Sequence, residues 1–148
     1  MPAQFRIRPV EHDDMAAIAG LMQGLGHDHG VDEITRRWRM IEDRAANPAL
    51  IAQEGGSPIG LIALHIAPLL FYPEPLARIT TLVVASGQRR RGVGRALVEA
   101  AERLAREAGC DTIELTTGHH RVGAHAFYRS LGFENLALRM ERQLMEGD

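Results

Sequence analysis

Ser86 to Leu97 reads SGQRRRGVGRAL, with four arginines crowded around Gly92 and Gly94 just ahead of a clean helical pattern. From Gly92 on, Val93, Leu97, Ala100, Leu104 and Ala108 form one apolar stripe at helical spacing. Glu99 with Arg103, and Glu102 with Arg106, are Glu-first pairs on the outer face. The stretch is fed by Ile79 to Val84, a β-branched run that reads as a buried strand. A strand, a glycine-rich turn and a helix in that order leave the first-turn N–H groups without internal partners, at the positive end of the macrodipole. Gly92 and Gly94 remove the Cβ atoms that would keep an anion away, and Arg89, Arg90 and Arg91 add charge and forked donors. That chemistry suits a pyrophosphate better than a lone carboxylate.

Outward from this stretch, the chain alternates strand and helix signals. Gln4 to Arg8 alternates polar and apolar residues, and Pro9 is expected to end that strand. Glu11, Asp13 and Asp14 precede Met15, Ile18, Leu21, Met22 and Leu25, an acidic first turn on an amphipathic helix broken by Gly24, Gly26 and Gly30. Ile34, Trp38 and Ile41 mark a second helix. Leu50–Glu54 and Ile59–Leu64 flank Gly55-Gly56-Ser57-Pro58, a hairpin signal. Pro68 to Pro75 is a loop that carries Leu69, Leu70, Phe71 and Tyr72. After the long helix come a strand over Asp111 to Thr117, a short helix over Val122 to Leu131 stopped by Gly132, and a last strand from Phe133 towards Leu144. The order predicts one α/β domain over residues 1–148, with helices on both faces of a mixed sheet.

Composition narrows the chemistry. The chain has 148 residues, 45% of them hydrophobic, which is enough to build a core. Its formal net charge is -2, so any basic function is local. All 17 basic residues are arginines, which removes a Walker-type lysine and lysine Schiff-base chemistry. Cys110 is the only cysteine, so neither an intrachain disulfide nor a cysteine-built zinc site is expected. The start, MPAQFRIRPV, is not a secretory h-region, and no apolar run is long enough to span a bilayer. A cytoplasmic protein that binds neither membrane nor nucleic acid is the expectation, and no metal is expected. His27-Asp28-His29 sits in a glycine-rich loop without a third spaced ligand, so it reads as a segment lining a site.

Three ligands compete for the arginine-glycine turn. A dinucleotide fingerprint needs Gly or Ala where Leu97 stands. Nucleic-acid binding lacks the interleaved aromatics that stack on bases. The third reading is carried by two segments. Arg89-Arg90-Arg91-Gly92-Val93-Gly94 resembles the Q/R-x-x-G-x-G/A signature of the GNAT superfamily of N-acetyltransferases, and it follows a strand ending Leu82-Val83-Val84. Ala126-Phe127-Tyr128-Arg129-Ser130-Leu131-Gly132-Phe133 resembles that family's FYxxxGF segment at the right distance downstream.

The resemblance implies a mixed, largely antiparallel sheet of about six strands with helices on both faces. It implies acetyl-coenzyme A as cosubstrate, an amine as acceptor, direct transfer in a ternary complex, and often a homodimer. A catalytically degenerate member that senses acyl-coenzyme A, or serves as a partner domain, is the alternative. Carried over residue by residue, the N–H groups from Arg90 to Arg95 (Arg91, Gly92, Val93 and Gly94 between them) hold the pyrophosphate. Arg89, Arg90 or Arg91 reaches a phosphate. Leu82, Val83 and Val84 pair with the pantetheine arm like an added strand. The Val84 N–H polarises the thioester carbonyl, and Tyr128 protonates the leaving thiolate.

Two departures stand out. Arg121 occupies the place where many members carry the asparagine that binds the pantetheine arm. Arg78-Ile79-Thr80-Thr81-Leu82 lacks the glutamate that many members use to deprotonate the amine. The base is thus left open between His65, His119, His120 and Glu114, or a water chain. Cys110 reads as small buried packing.

Overall fold

The computed structural model describes residues 4–26, 30–89, 91–117 and 122–145. His27, Asp28, His29, Arg90, His119, His120 and Arg121 lie outside them. By internal contacts the chain divides into Met1–Leu115 and Thr116–Asp148.

The first unit is a five-stranded sheet in sequential order: β1 (Arg6–Pro9), β2 (Ala49–Glu54), β3 (Ser57–Ala67), β4 (Leu76–Val84) and β5 (Ile113–Glu114). The first three pairings are antiparallel and β4–β5 is parallel. Helices α1 (Met15–Gln23) and α2 (Val31–Met40) connect β1 to β2, and α3 (Val93–Glu107) connects β4 to β5. Pro9 is the last residue of β1, paired with Leu50. An edge strand tolerates it because its missing N–H need not serve a second neighbour. The β2–β3 turn is tighter than expected: Gly55 at φ +60 and Gly56 suffice, and Ser57 and Pro58 already pair with β2.

Strand register assigns the apolar residues to two faces. Ile51, Leu61 and Val83 are direct neighbours across three strands. They pack with Met15, Ile18, Ala19 and Leu21 of α1 and Ile34 of α2. The next position along carries Ala52, Gly60 and Val84, which face the other way by strand alternation. There α3 packs so closely that a Cβ on Gly60 would lie 3.0 Å from Leu97 Cδ1 and 3.1 Å from Val93 Cγ1. Helices therefore cover both faces, as expected.

One charged group is built into this layer. Asp14 is buried, and its two carboxylate oxygens each accept a 2.8 Å bond from the Arg8 guanidinium. The Glu11 N–H adds a third bond at 2.7 Å. The Arg8 hydrogen bonds hold the Asp14 carboxyl below its ordinary range, against the opposing effect of burial.

Two register irregularities interrupt the ladders. Ala63 pairs with Thr81 while Leu64 pairs with Ile79, so Thr80 is an extra residue in β4. Its hydroxyl donates to the Ala63 carbonyl at 3.2 Å. A second shift follows Ala52, where Gln53 pairs with Pro58.

In the second unit, α4 (Val122–Ser130) ends as the sequence suggests, with Gly132 at φ +94. The N–H groups of Leu131 and Phe133 both donate to the Tyr128 carbonyl, at 3.1 and 3.0 Å. The strand count needs correction. Among the described residues the strand expected from Phe133 towards Leu144 is not formed, and the sheet has five strands instead of about six. Leu136, Leu138 and Met140 alternate as a strand should, yet they are 79–89% exposed. Alternation gives a strand only where an edge pairs with it, and none does so here among the described residues.

Candidate active site

The site begins where β4 loses a neighbour. On the β5 side, β4 is paired only at Ala77–Ile113 and Arg78–Glu114. Beyond Arg78, no strand among the described residues pairs with that edge. The Ala85 N–H donates to the Ile59 carbonyl at 2.9 Å, so Ala85 points its backbone towards β3. The Val83 carbonyl lies on the same side, 3.3 Å from where a Cβ on Gly60 would sit. Backbone groups alternate along an antiparallel strand, so those of Leu82 and Val84 point the other way, to the open edge. Val83 offers nothing there: its backbone serves β3 and its side chain is buried under α1. Of the three residues expected at this edge, Leu82 and Val84 turn their N–H groups towards it.

This edge runs into the arginine-glycine turn. A short 3-10 turn (Ser86–Gln88) leads to Gly92, which adopts φ +81 as the N-cap of α3. Glycine is suited to this left-handed conformation. The first helical bond runs from the Ala96 N–H to the Gly92 carbonyl at 3.0 Å. The N–H groups of Val93, Gly94 and Arg95 precede it and have no partner within the helix. The side chain of Val93 is buried, while Arg95 is exposed. The site is thus made mainly of main chain.

The arginines divide their work. Arg91 donates to the Gln88 amide oxygen and to the Glu54 carboxylate at the end of β2. These contacts tie the turn to the sheet, and they hold the Glu54 carboxyl below its ordinary range. Arg89 is exposed.

Around β5 the sequence candidates resolve differently. His65 is exposed on β3, with Nδ1 2.8 Å from Asn47 Oδ1. Glu114 is not on a covered face: its side chain is 44% exposed and lies 3.5 Å from Arg78 Nη1. Cys110 is buried, and desolvation, then Asp111, pushes its thiol up, away from the thiolate that a nucleophile requires. In the second unit, the half-buried Tyr128 ring stands edge-on to Phe127 and Phe133, at centroid distances of 5.3 and 5.8 Å. These contacts set the direction of its phenol.

The profile of the acetyltransferase (GNAT) family matches residues 15–133. The chain belongs to the GNAT acetyltransferase family. The match runs from α1 through α4 and takes in the open edge, the Gly92 turn and Tyr128. This GNAT chain is 33% identical over 94 residues to an aminoalkylphosphonate N-acetyltransferase of Salmonella typhimurium, covering 64% of this chain and 61% of that one. It spans 46% and 37% of the lengths of two further curated relatives. A candidate acetyltransferase of Agrobacterium tumefaciens superposes with a TM-score of 0.84 at 30% identity, over 93% of this chain and 99% of that one. An aminoglycoside N-acetyltransferase solved with coenzyme A reaches a TM-score of 0.85 over 98% of each chain, a likeness of fold at 21% identity. Among the described residues, no helix of this GNAT chain is long and apolar enough to cross a membrane.

Proposed function

We propose that this chain is one acetyltransferase domain that moves an acetyl group from acetyl-coenzyme A directly to an amine, with both bound together. The observation that carries this reading is the half-paired strand: the outward N–H groups of Leu82 and Val84 lead straight into the first turn of α3. Acetyl-coenzyme A supplies the activated thioester. The Val93, Gly94 and Arg95 N–H groups receive its pyrophosphate, with Arg89 within the same turn. The Leu82 and Val84 backbones pair with the amide-bearing arm. The Val84 N–H, or that of Leu82 one step back on the same edge, takes the negative charge that develops on the thioester oxygen. As the neutral amine attacks the carbonyl carbon and the C–S bond breaks, Tyr128 gives a proton to the departing sulfur. The amine nitrogen gives up its extra proton to solvent, and solvent restores the proton of Tyr128.

Amine acceptors are supported by the relatives, whose names specify aminoalkylphosphonates and aminoglycosides. A cosubstrate of this kind favours a cytoplasmic setting. The test is release of free thiol from acetyl-coenzyme A by the purified chain across an amine panel. No release above background, together with no coenzyme A binding, rejects the reading. Tyr128→Phe is expected to lower kcat about 100-fold while coenzyme A affinity stays within about twofold; unchanged kinetics remove Tyr128 from the mechanism.

The missing carboxylate in 78–82 favours a second reading, an acyl-coenzyme A sensor. Tight coenzyme A binding without turnover of any amine selects it.

A further inference from the structure

The sheet face that carries Leu61 and Val83 changes character towards the other end of β3. Leu61 is buried, Ala63 is half-buried and His65 is exposed. There three neighbouring strands line up a polar row: His65 of β3 pairs with Arg78 of β4, and Arg78 pairs with Glu114 of β5. Asn47 closes one end through its 2.8 Å contact with His65, and the Arg78–Glu114 contact of 3.5 Å closes the other. The row stands at the fork where β4 and β5 part, on the strand whose outward N–H groups begin at Leu82.

We propose that this row recognises the acceptor, and that Arg78 binds an acidic group (carboxylate, phosphate or phosphonate) on an amine that carries one. The inference rests on the acetyl-transfer reading and deepens it. A guanidinium presents a planar fork of donors suited to such groups, which a glutamate at this place would repel. Its contact with Glu114 is long, and both side chains are more than 40% exposed. Such a pair yields readily to a better anion. Glu114 then acts as a positioning residue that keeps the guanidinium at the fork. Arg78 and Leu82 pair with His65 and Ile62, three residues apart on β3, so roughly 10 Å at ~3.3 Å each separates them, a span that the arginine side chain and a small amine fill between them.

The test uses four acceptors of matched length: an ω-amino carboxylate, an ω-aminophosphonate, an ω-amino alcohol and an alkylamine. With the full chain and acetyl-coenzyme A, kcat/KM for the two acidic amines is expected to exceed the neutral pair by about tenfold or more. Arg78→Gln should collapse that ratio towards one, through KM for the acidic amines. Arg78→Lys should restore part of it, because the charge returns without the fork. A wild-type ratio near one, or a ratio that Arg78→Gln leaves unchanged, overturns the proposal. Calorimetric titration of the same compounds, with and without coenzyme A, decides the matter even if nothing turns over. Tighter binding of the acidic amines that Arg78→Gln weakens about tenfold supports the row, and equal binding of all four rejects it. Absent thiol release instead counts against the acetyl-transfer reading. Retained coenzyme A affinity and thermal unfolding show that the variants are folded.

Discussion

At the Val84 end of β4 the molecule presents main chain: two outward N–H groups, a left-handed glycine and the first turn of α3. At the Leu76 end of the same strand it presents side chains, Arg78 against Glu114 and His65 against Asn47. Each end also has its own arginine–carboxylate pair. Arg91 with Glu54 anchors a turn to the sheet, while Arg78 with Glu114 spans two strands at a fork. A ligand group common to all turnovers can be held by backbone, which no point mutation deletes. A group that varies with the acceptor is better met by side chains, which mutation readily changes.

The comparison breaks most directly at Gly94. Gly94→Glu places a carboxylate in the first turn of α3, where the reading puts a pyrophosphate. Coenzyme A affinity should fall about 100-fold, or ~2.7 kcal/mol, by calorimetry. Normal affinity would move the cofactor away from this end. Gly60→Ala acts beneath the same end, from the sheet side. Its Cβ would press on Leu97, Val93 and the Val83 carbonyl at 3.0, 3.1 and 3.3 Å. Overpacking of this kind costs about 1–3 kcal/mol, read as a lowered midpoint in thermal or urea unfolding. Displacement of α3 should also weaken coenzyme A several-fold.

Glu54→Gln gives the smallest effect, a rise of about two- to fivefold in KM for acetyl-coenzyme A, as expected for an exposed pair. Because Arg91 lowers the Glu54 carboxyl, the tie is fully present above the ordinary carboxylate range and is lost as pH falls through the lowered value. The wild-type KM should therefore approach that of Glu54→Gln only in strong acid. Equal KM values for the two proteins at neutral pH would show that the pair does not position the turn.

The same contrast explains what could be read from sequence. Gly92 and Gly94 announce the backbone-built end because only glycine meets its needs, and the β-branched run before them declares the strand. The helices of both faces follow from the stripes of α1 and α3. The fork is different. Arg78, His65 and Glu114 are neighbours only through the registers of three strands, and no local spacing carries that information. The strand expected over Asp111–Thr117 narrows to the two residues that β4 pairs with, Ile113 and Glu114. The contact of Arg91 with the Glu54 carboxylate, 37 residues away, is likewise invisible to local spacing. Leu136, Leu138 and Met140 show the converse error, a local pattern without the partner edge that would make it a strand.

The extra residue at Thr80 works as a frame shift. Thr81 and Val83 are odd-numbered and face α1, so an unbroken strand would send every even-numbered residue, Arg78 included, to the opposite face. One inserted residue reverses the count, and the same face then carries core at one end and a cation at the other. Deleting Thr80 would remove the irregularity yet keep Ile79 opposite Leu64 and Arg78 opposite His65, on the faces they already occupy. The face that Arg78 occupies thus depends on the ladder stepping over Thr80 as much as on which residues β4 carries.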